Sequence, residues 1–321
     1  MLRLALSLCL GLLSRSVPAA EPLALTPVTF LPHWVPQAQF AGYYVACERG
    51  LYRAQGIDVT ILTGGPERPV SAALEGGQAD VATQWLSTAI RMRAGGAPIV
   101  NAAQVVQRSS LMLVAKRASG IREPADLKGK KVGVWEGDFF LQPQAFFKAY
   151  RLDVRTVPQG SSINLLLRDG VSAAVAMWYN EYHTILNSGL DADELTTFFF
   201  ADYGLNFPED GIYCRAALSA AVCRAFVRAS LDGWQYAFAH REEALDILMR
   251  YITAAHLSAN RVHQRWMLAR MHDVIMPAPV AARLGVLQRV DYDRVARVLL
   301  DSGSIARVPD FDAFYTGAAA D

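Results

Sequence analysis

The sequence predicts an α/β protein built as two Rossmann-like lobes joined by a double hinge, and three observations carry that expectation. Segments with strand and helix periodicity alternate from Val28 to Phe200. The 321 residues exceed what one hydrophobic core usually serves. Everything after Arg215 shows helical spacing only, so those helices need a sheet made elsewhere in the chain.

Val28-Thr29-Phe30 reads as the first strand, and residues 36–49 carry apolar residues at helical spacing before Gly50. Residues 57–62 alternate apolar and polar side chains as a second strand, which Gly64-Gly65-Pro66 breaks. A helix to Glu75, a short strand at 79–82, a helix at 86–94 closed by Gly95-Gly96 and a strand at 99–106 follow. Residues 111–115 form a strand with no helix before it. A second series then runs through strand 132–135, helix 139–150, strand 154–157, helix 163–168, strand 173–177, a helix from about Tyr179 and strand 195–200. Residues 211–215 read as a returning strand, and 220–240, 242–252, 258–274 and 292–300 as helices. If these helices pack back on the first lobe, lobe I comprises 21–114 plus 209–321 and lobe II 115–208. The cleft between such lobes lies at the carboxyl ends of the strands.

Arg3, the apolar run 4–13 and the small residues Val17-Pro18-Ala19-Ala20 have the pattern of a cleaved export signal over residues 1–20. The run is about half the ~20 residues of a membrane-spanning helix, and Leu8 is too bulky to precede a lipidated Cys9. A periplasmic mature chain is therefore expected. Cys47, Cys214 and Cys223 cannot all pair, and their spacing matches no metal site, so at most one bridge is expected, with its partners open. With 31 basic against 30 acidic residues there is no electrostatic footprint for nucleic acid, and 52% apolar residues exclude a disordered chain.

The run Trp34-Val35-Pro36-Gln37-Ala38-Gln39-Phe40-Ala41-Gly42-Tyr43-Tyr44-Val45-Ala46, then Glu48-Arg49-Gly50-Leu51-Tyr52 and Gly56-Ile57-Asp58-Val59, resembles the start of periplasmic binding proteins of the thiamine-pyrimidine-synthase-like (SsuA/THI5-like, NMT1-like) superfamily. Gly76-Gly77-Gln78-Ala79-Asp80-Val81 and Asp126-Leu127-Lys128-Gly129-Lys130-Lys131-Val132-Gly133 extend the likeness to about Tyr213. It implies the type II periplasmic binding protein fold. It also implies a monomer that delivers a small-molecule solute, a thiamine-pyrimidine precursor, riboflavin or a sulfonate, to an ABC permease in the inner membrane, or that uses the same cleft for sensing. The superfamily also contains a pyrimidine synthase that uses pyridoxal phosphate, iron and one of its own histidines. Its cofactor lysine aligns with Gln84 and its sacrificed histidine with Thr88, and only Cys214 stands where its cysteine-rich iron motif would fall. An amide forms no Schiff base and a threonine supplies no imidazole, so the resemblance implies binding without catalysis, cofactor or metal.

A binding cleft needs aromatic faces and a few fixed polar groups. Trp34, Trp85, Trp135 and Trp178 each stand at or just past a strand end, where an indole either plugs the sheet or stacks on a flat ring. Trp34 and Trp178, one from each lobe, are the leading pair. Beside them stand Tyr179, Asn180 as a ligand or a helix cap, and Glu181 as a first-turn acid or an acceptor for ring N–H groups. Gln37, Gln39, Gln84, one of Tyr43 and Tyr44, and Tyr213 near the second hinge complete the candidates. Asp138 reads as a helix cap, and His256, His263 and His272 as a solvated helix face. No Gly-x-x-x-x-Gly-Lys-Ser/Thr, His-Glu-x-x-His or Gly-x-Ser-x-Gly motif occurs. No arginine falls in the rim segments to favour a sulfonate.

Overall fold

Leu111, Leu113 and Ala115 enter one apolar core while Met112 and Val114 enter another, so the strand that carries them is covered on both faces. The computed structural model describes residues 24–258, 260–278 and 284–318, and the expected export signal at 1–20 lies outside them. Among the described residues, ten strands run in chain order: β1 (Thr26–Leu31), β2 (Ile57–Ile61), β3 (Val81–Trp85), β4 (Ile99–Gln104), β5 (Leu111–Lys116), β6 (Lys131–Val134), β7 (Arg155–Pro158), β8 (Ala173–Met177), β9 (Leu195–Phe199) and β10 (Asp210–Arg215). They form two five-stranded sheets, ordered β2-β1-β3-β10-β4 and β7-β6-β8-β5-β9. In each, one returning strand is antiparallel to both neighbours: β10 beside β3 and β4, β5 beside β8 and β9.

All of β5 pairs within the second sheet, from Leu111 opposite Met177 to Lys116 opposite Leu195. Residues 111–114 therefore belong with lobe II, a correction to a boundary at 115. The strand has no helix before it because it starts directly from the crossing segment.

The helices are α1 (Ala41–Glu48), α2 (Leu51–Ala54), α3 (Val70–Glu75), α4 (Leu86–Ala94), α5 (Leu141–Ala149), α6 (Asn164–Leu167), α7 (Glu181–Leu186), α8 (Ala220–Ala239), α9 (Arg241–Ala254), α10 (Arg261–Ile275), α11 (Arg289–Asp301) and α12 (Phe311–Phe314). α8 and α9 pack on α1, α11 packs on α4, and α12 lies against β4. The approach of α1 to α8 explains a glycine of the first motif. A Cβ on Gly42 would lie 2.4 Å from the Trp234 ring, and one on Gly233 would lie 2.2 Å from the Gly42 carbonyl oxygen. Cys214 and Cys223 form a disulfide across a Cα separation of 6.4 Å, tying β10 to α8. Cys47 is free, and burial raises its thiol pKa.

Two chain segments cross between the sheets, one after β4 and one before β10, and polar side chains brace them together. Glu209 accepts from the Ser110 amide at 2.7 Å and from the Ser109 and Ser110 hydroxyls at 3.1 and 2.9 Å. Asn206 accepts from the Ser109 amide at 2.8 Å and donates to the Gln107 carbonyl at 3.1 Å. Glu209 is buried, which pushes its carboxyl up to about 8. A buried acid in a crossing segment is retained because the hydroxyls and amide of the other segment satisfy its oxygens.

Candidate functional site

Every parallel strand next to the interlobe gap ends there, so residues just past strand ends converge. The result is a cavity of about 330 Å³ lined from lobe I by His33, Trp34, Gln37, Gln39 and Trp85. Lobe II supplies Trp135, Glu136, Phe139, Gly160, Ser161, Ile163, Met177, Tyr179, Asn180, Glu181 and Thr184. The volume is at the lower end of the ~300–1,000 Å³ range of small-molecule sites. Trp85 meets Phe139 edge to face across the gap, with ring centroids 4.6 Å apart, and Phe139 in turn meets Trp135 at 6.0 Å. Outside this aromatic wall, Arg91 of α4 makes a paired contact with Asp138 of the other lobe at 3.0 and 2.7 Å. Asp138 thus bridges the lobes and caps no helix.

Strand alternation decides which candidates reach the cavity. Met177 and Tyr179 face it, so Trp178 between them faces the other way. Its amide continues the ladder to the Ser110 carbonyl at 3.0 Å. Its indole lies 4.7 Å from the Arg270 guanidinium and 5.5 Å from Phe199. The leading pair is therefore corrected: Trp34 lines the cavity and Trp178 does not. Gln84 precedes Trp85 within β3 and lies outside the lining for the same reason, its Oε1 accepting from the Trp85 amide at 2.8 Å. Tyr43 is buried beneath the site between Phe30 and Trp234, and Tyr213 is buried 6.2 Å from Phe314. Trp34, Gln37, Gln39, Trp85, Trp135, Tyr179, Asn180 and Glu181 are brought together.

The polar groups are held in a fixed pattern. Gln37 donates to Gln39 at 2.5 Å, and Gln39 donates to Asp210 at 2.8 Å. Asp210 sits opposite Trp85 in the sheet register; its Oδ1 lies 3.7 Å from His33 Nε2 and, like the Trp85 Nε1, is buried without a hydrogen-bond partner among the described residues. Burial pushes the Asp210 carboxyl up to about 7, against the lowering effect of the Gln39 bond. Glu181 is likewise raised to about 7 by burial, although the Met177 amide at 2.9 Å and the Asn180 amide at 2.8 Å both stabilise its charge. Burial holds His33 down to about 3, so it is neutral at physiological pH. Trp135 commits its Nε1 to the Gly160 carbonyl at 3.0 Å and offers the cavity its ring face.

Among the described residues, neither Lys nor Arg lines the cavity. The arrangement can stack a flat ring, accept N–H groups at Glu181 and exchange amide hydrogen bonds, and His33 of the lining bonds the Thr83 hydroxyl through its Nδ1 at 3.0 Å. His33, Glu136, Phe139 and Ser161 were not foreseen, although His33 adjoins Trp34 and Phe139 stands four residues after Trp135. Asn180 does not cap α7; its side chain bonds Glu181 and His263. His263 is accordingly not on a solvated face.

Comparison with known proteins fits this geometry. The riboflavin-binding protein RibY of Chloroflexus aurantiacus is 27% identical over 257 residues, covering 75% of this chain and 70% of that one. A formylaminopyrimidine-binding protein of Halalkalibacterium halodurans is 27% identical over 72% of each chain. The 4-amino-5-hydroxymethyl-2-methylpyrimidine phosphate synthase of Schizosaccharomyces pombe matches only 36% of this chain and 34% of its own, at 26% identity. Among solved structures, the periplasmic aliphatic sulphonate-binding protein SsuA of Escherichia coli superposes with a TM-score of 0.68 at 15% identity, covering 90% of this chain and 97% of that one. That likeness shows the periplasmic binding protein fold. The NMT1/THI5-like family model matches residues 37–244, and the chain belongs to that family.

Proposed function

We propose that the protein is the periplasmic solute-binding component of an ABC importer. It captures a small planar heteroaromatic solute of the aminopyrimidine or flavin type between its lobes and presents it to an inner-membrane permease without chemical change. The observation that carries this reading is an interlobe cavity with aromatic side chains from both lobes, a buried carboxyl, several amides and, among the described residues, no Lys or Arg. Trp34, Trp85 and Trp135 stack on the ring, while Glu181 accepts from its amino or ring N–H groups. The names of the two relatives matched over most of their length point to the same ligand class. A sulfonate would leave its charge unanswered, because the lining has no Lys or Arg and His33 is neutral. A synthase reading has only partial sequence support, and the cavity presents no lysine to hold pyridoxal phosphate.

The test is a thermal-shift series with riboflavin, formylaminopyrimidine and an alkanesulfonate, alongside native mass spectrometry of the purified protein. Saturating solute stabilises the folded state by about 2.7 kcal/mol at one hundred times Kd. One of the two rings is expected to raise Tm and the sulfonate to leave it unchanged. The reverse order overturns the proposal.

A further inference from the structure

Adjacent residues of α10 hold both walls of the cavity. Gln264 accepts from the Ala38 amide at 2.8 Å and so pins the lobe I loop that carries Gln37 and Gln39. His263 reaches the other lobe, where its Nε2 lies 2.8 Å from Asn180 Oδ1 and its Nδ1 lies 2.8 Å from His183 Nδ1. Trp266 extends the contact: its ring stacks on His183 at 4.8 Å and its Nε1 donates to the Trp178 carbonyl at 3.1 Å.

With Glu181 ionised, the proton positions from Glu181 to His263 follow by elimination. An ionised Glu181 can only accept, so Asn180 turns its Nδ2 toward it at 2.8 Å and its Oδ1 toward His263. That oxygen can only accept, so His263 carries its proton on Nε2. Its Nδ1 meets His183 Nδ1 at 2.8 Å, and that same His183 nitrogen faces the Asn187 amide nitrogen at 3.2 Å. Burial lowers the pKa of both histidines, and His183 lowers that of His263 further. Tyr179 faces Glu209, Asp210 and Glu181, and His33 and Glu136 line the same cavity as Glu181.

We propose that His263 is a positioning residue for solute capture: its Nε2–H orients Asn180, which fixes the Glu181 carboxylate at the cavity wall, so the acceptor presented by α7 of lobe II depends on a donor from α10 of lobe I. The inference rests on the reading of the cleft as a solute site. It makes the C-terminal helices part of the recognition apparatus, since the donor that aligns Asn180 comes from α10.

The test uses the full chain with His263→Phe, which keeps a ring and removes the donor, and His263→Gln, which keeps a donor. In solute-free protein the Glu181 carboxyl is titrated by carbon-13 NMR. Wild type and H263Q are expected to titrate alike. H263F should titrate at higher pH, because Asn180 no longer holds the charge. Affinity is read with riboflavin and formylaminopyrimidine; loss of the donor that orients Asn180 should weaken the accepted probe about tenfold in H263F and little in H263Q. Nitrogen-15 NMR of wild type should show the His263 proton on Nε2 at a pH well above 7, where Glu181 is ionised. A proton on Nδ1 alone, an unchanged Glu181 titration in H263F, or a Gln variant no better than Phe overturns the proposal. If wild type binds neither probe while the titration still responds to H263F, the positioning role stands and the heteroaromatic reading fails.

Discussion

Replacing Glu181 by Gln should make the protein's stability less sensitive to alkali. Burial lifts this carboxyl from 4.5 to about 7, and a shift of that size corresponds to about 3 kcal/mol between its two protonation states. The folded-state pKa is raised, so the folded protein binds more protons than the unfolded chain between those values. Stability from this group is fully present below pH 4.5 and is lost as pH rises through 7. Integrated from pH 5 to pH 8, the loss is about 2.5 kcal/mol in wild type and absent in Glu181→Gln. Glu209 and Asp210 contribute in the same direction in both proteins and cancel in the difference. The amide also turns one N–H₂ toward Asn180 Nδ2 or the Met177 amide, which costs about 1–3 kcal/mol at every pH. Urea unfolding of both proteins at four pH values separates the constant offset from the slope. Parallel stability curves, or a variant that loses ground as pH rises, would refute the burial argument.

Solute affinity should weaken as pH falls through about 7, where Glu181 gains a proton and ceases to be a pure acceptor; calorimetric titration across that range checks it. Trp135→Ala should lose at least about tenfold in affinity, since its ring face is committed to the cavity, whereas Trp178→Ala should lose much less; fluorescence titration of both compares them. Gly42→Ala should destabilise the fold by about 3 kcal/mol, because no rotamer change moves the new methyl away from the Trp234 ring; thermal unfolding reads it. Reduction of Cys214–Cys223, separated by nine residues, should lower stability by about 2–3 kcal/mol, seen as a fall in Tm with reductant.

Strand and helix periodicity marked most elements because both signals are local. Residues 86–94 and 173–177 are bounded as their spacing predicts. The rule that ligands sit past strand ends placed Trp34, Trp135 and Glu181 at the cavity. It misassigned Trp178 because a strand end alone does not say which face a side chain takes. Alternation along β8, carried two residues past Met177, puts Tyr179 on the cavity face and Trp178 opposite. Gln84 and Trp85 show the same rule within β3. The partners of Asn180 were not legible: His263 is 83 residues away, and only the packing of α10 across the lobes brings it near. The pairing of Cys214 with Cys223 depends on the angle between β10 and α8, which spacing does not encode.

A crystal structure of the protein with its captured solute tests the account most directly. The predicted result is a flat ring in the interlobe cavity, against the Trp135 face and within hydrogen-bonding distance of Glu181, with Trp178 still packed under Arg270. A solute held elsewhere, or one in the cavity whose polar edge faces away from Glu181, would contradict it.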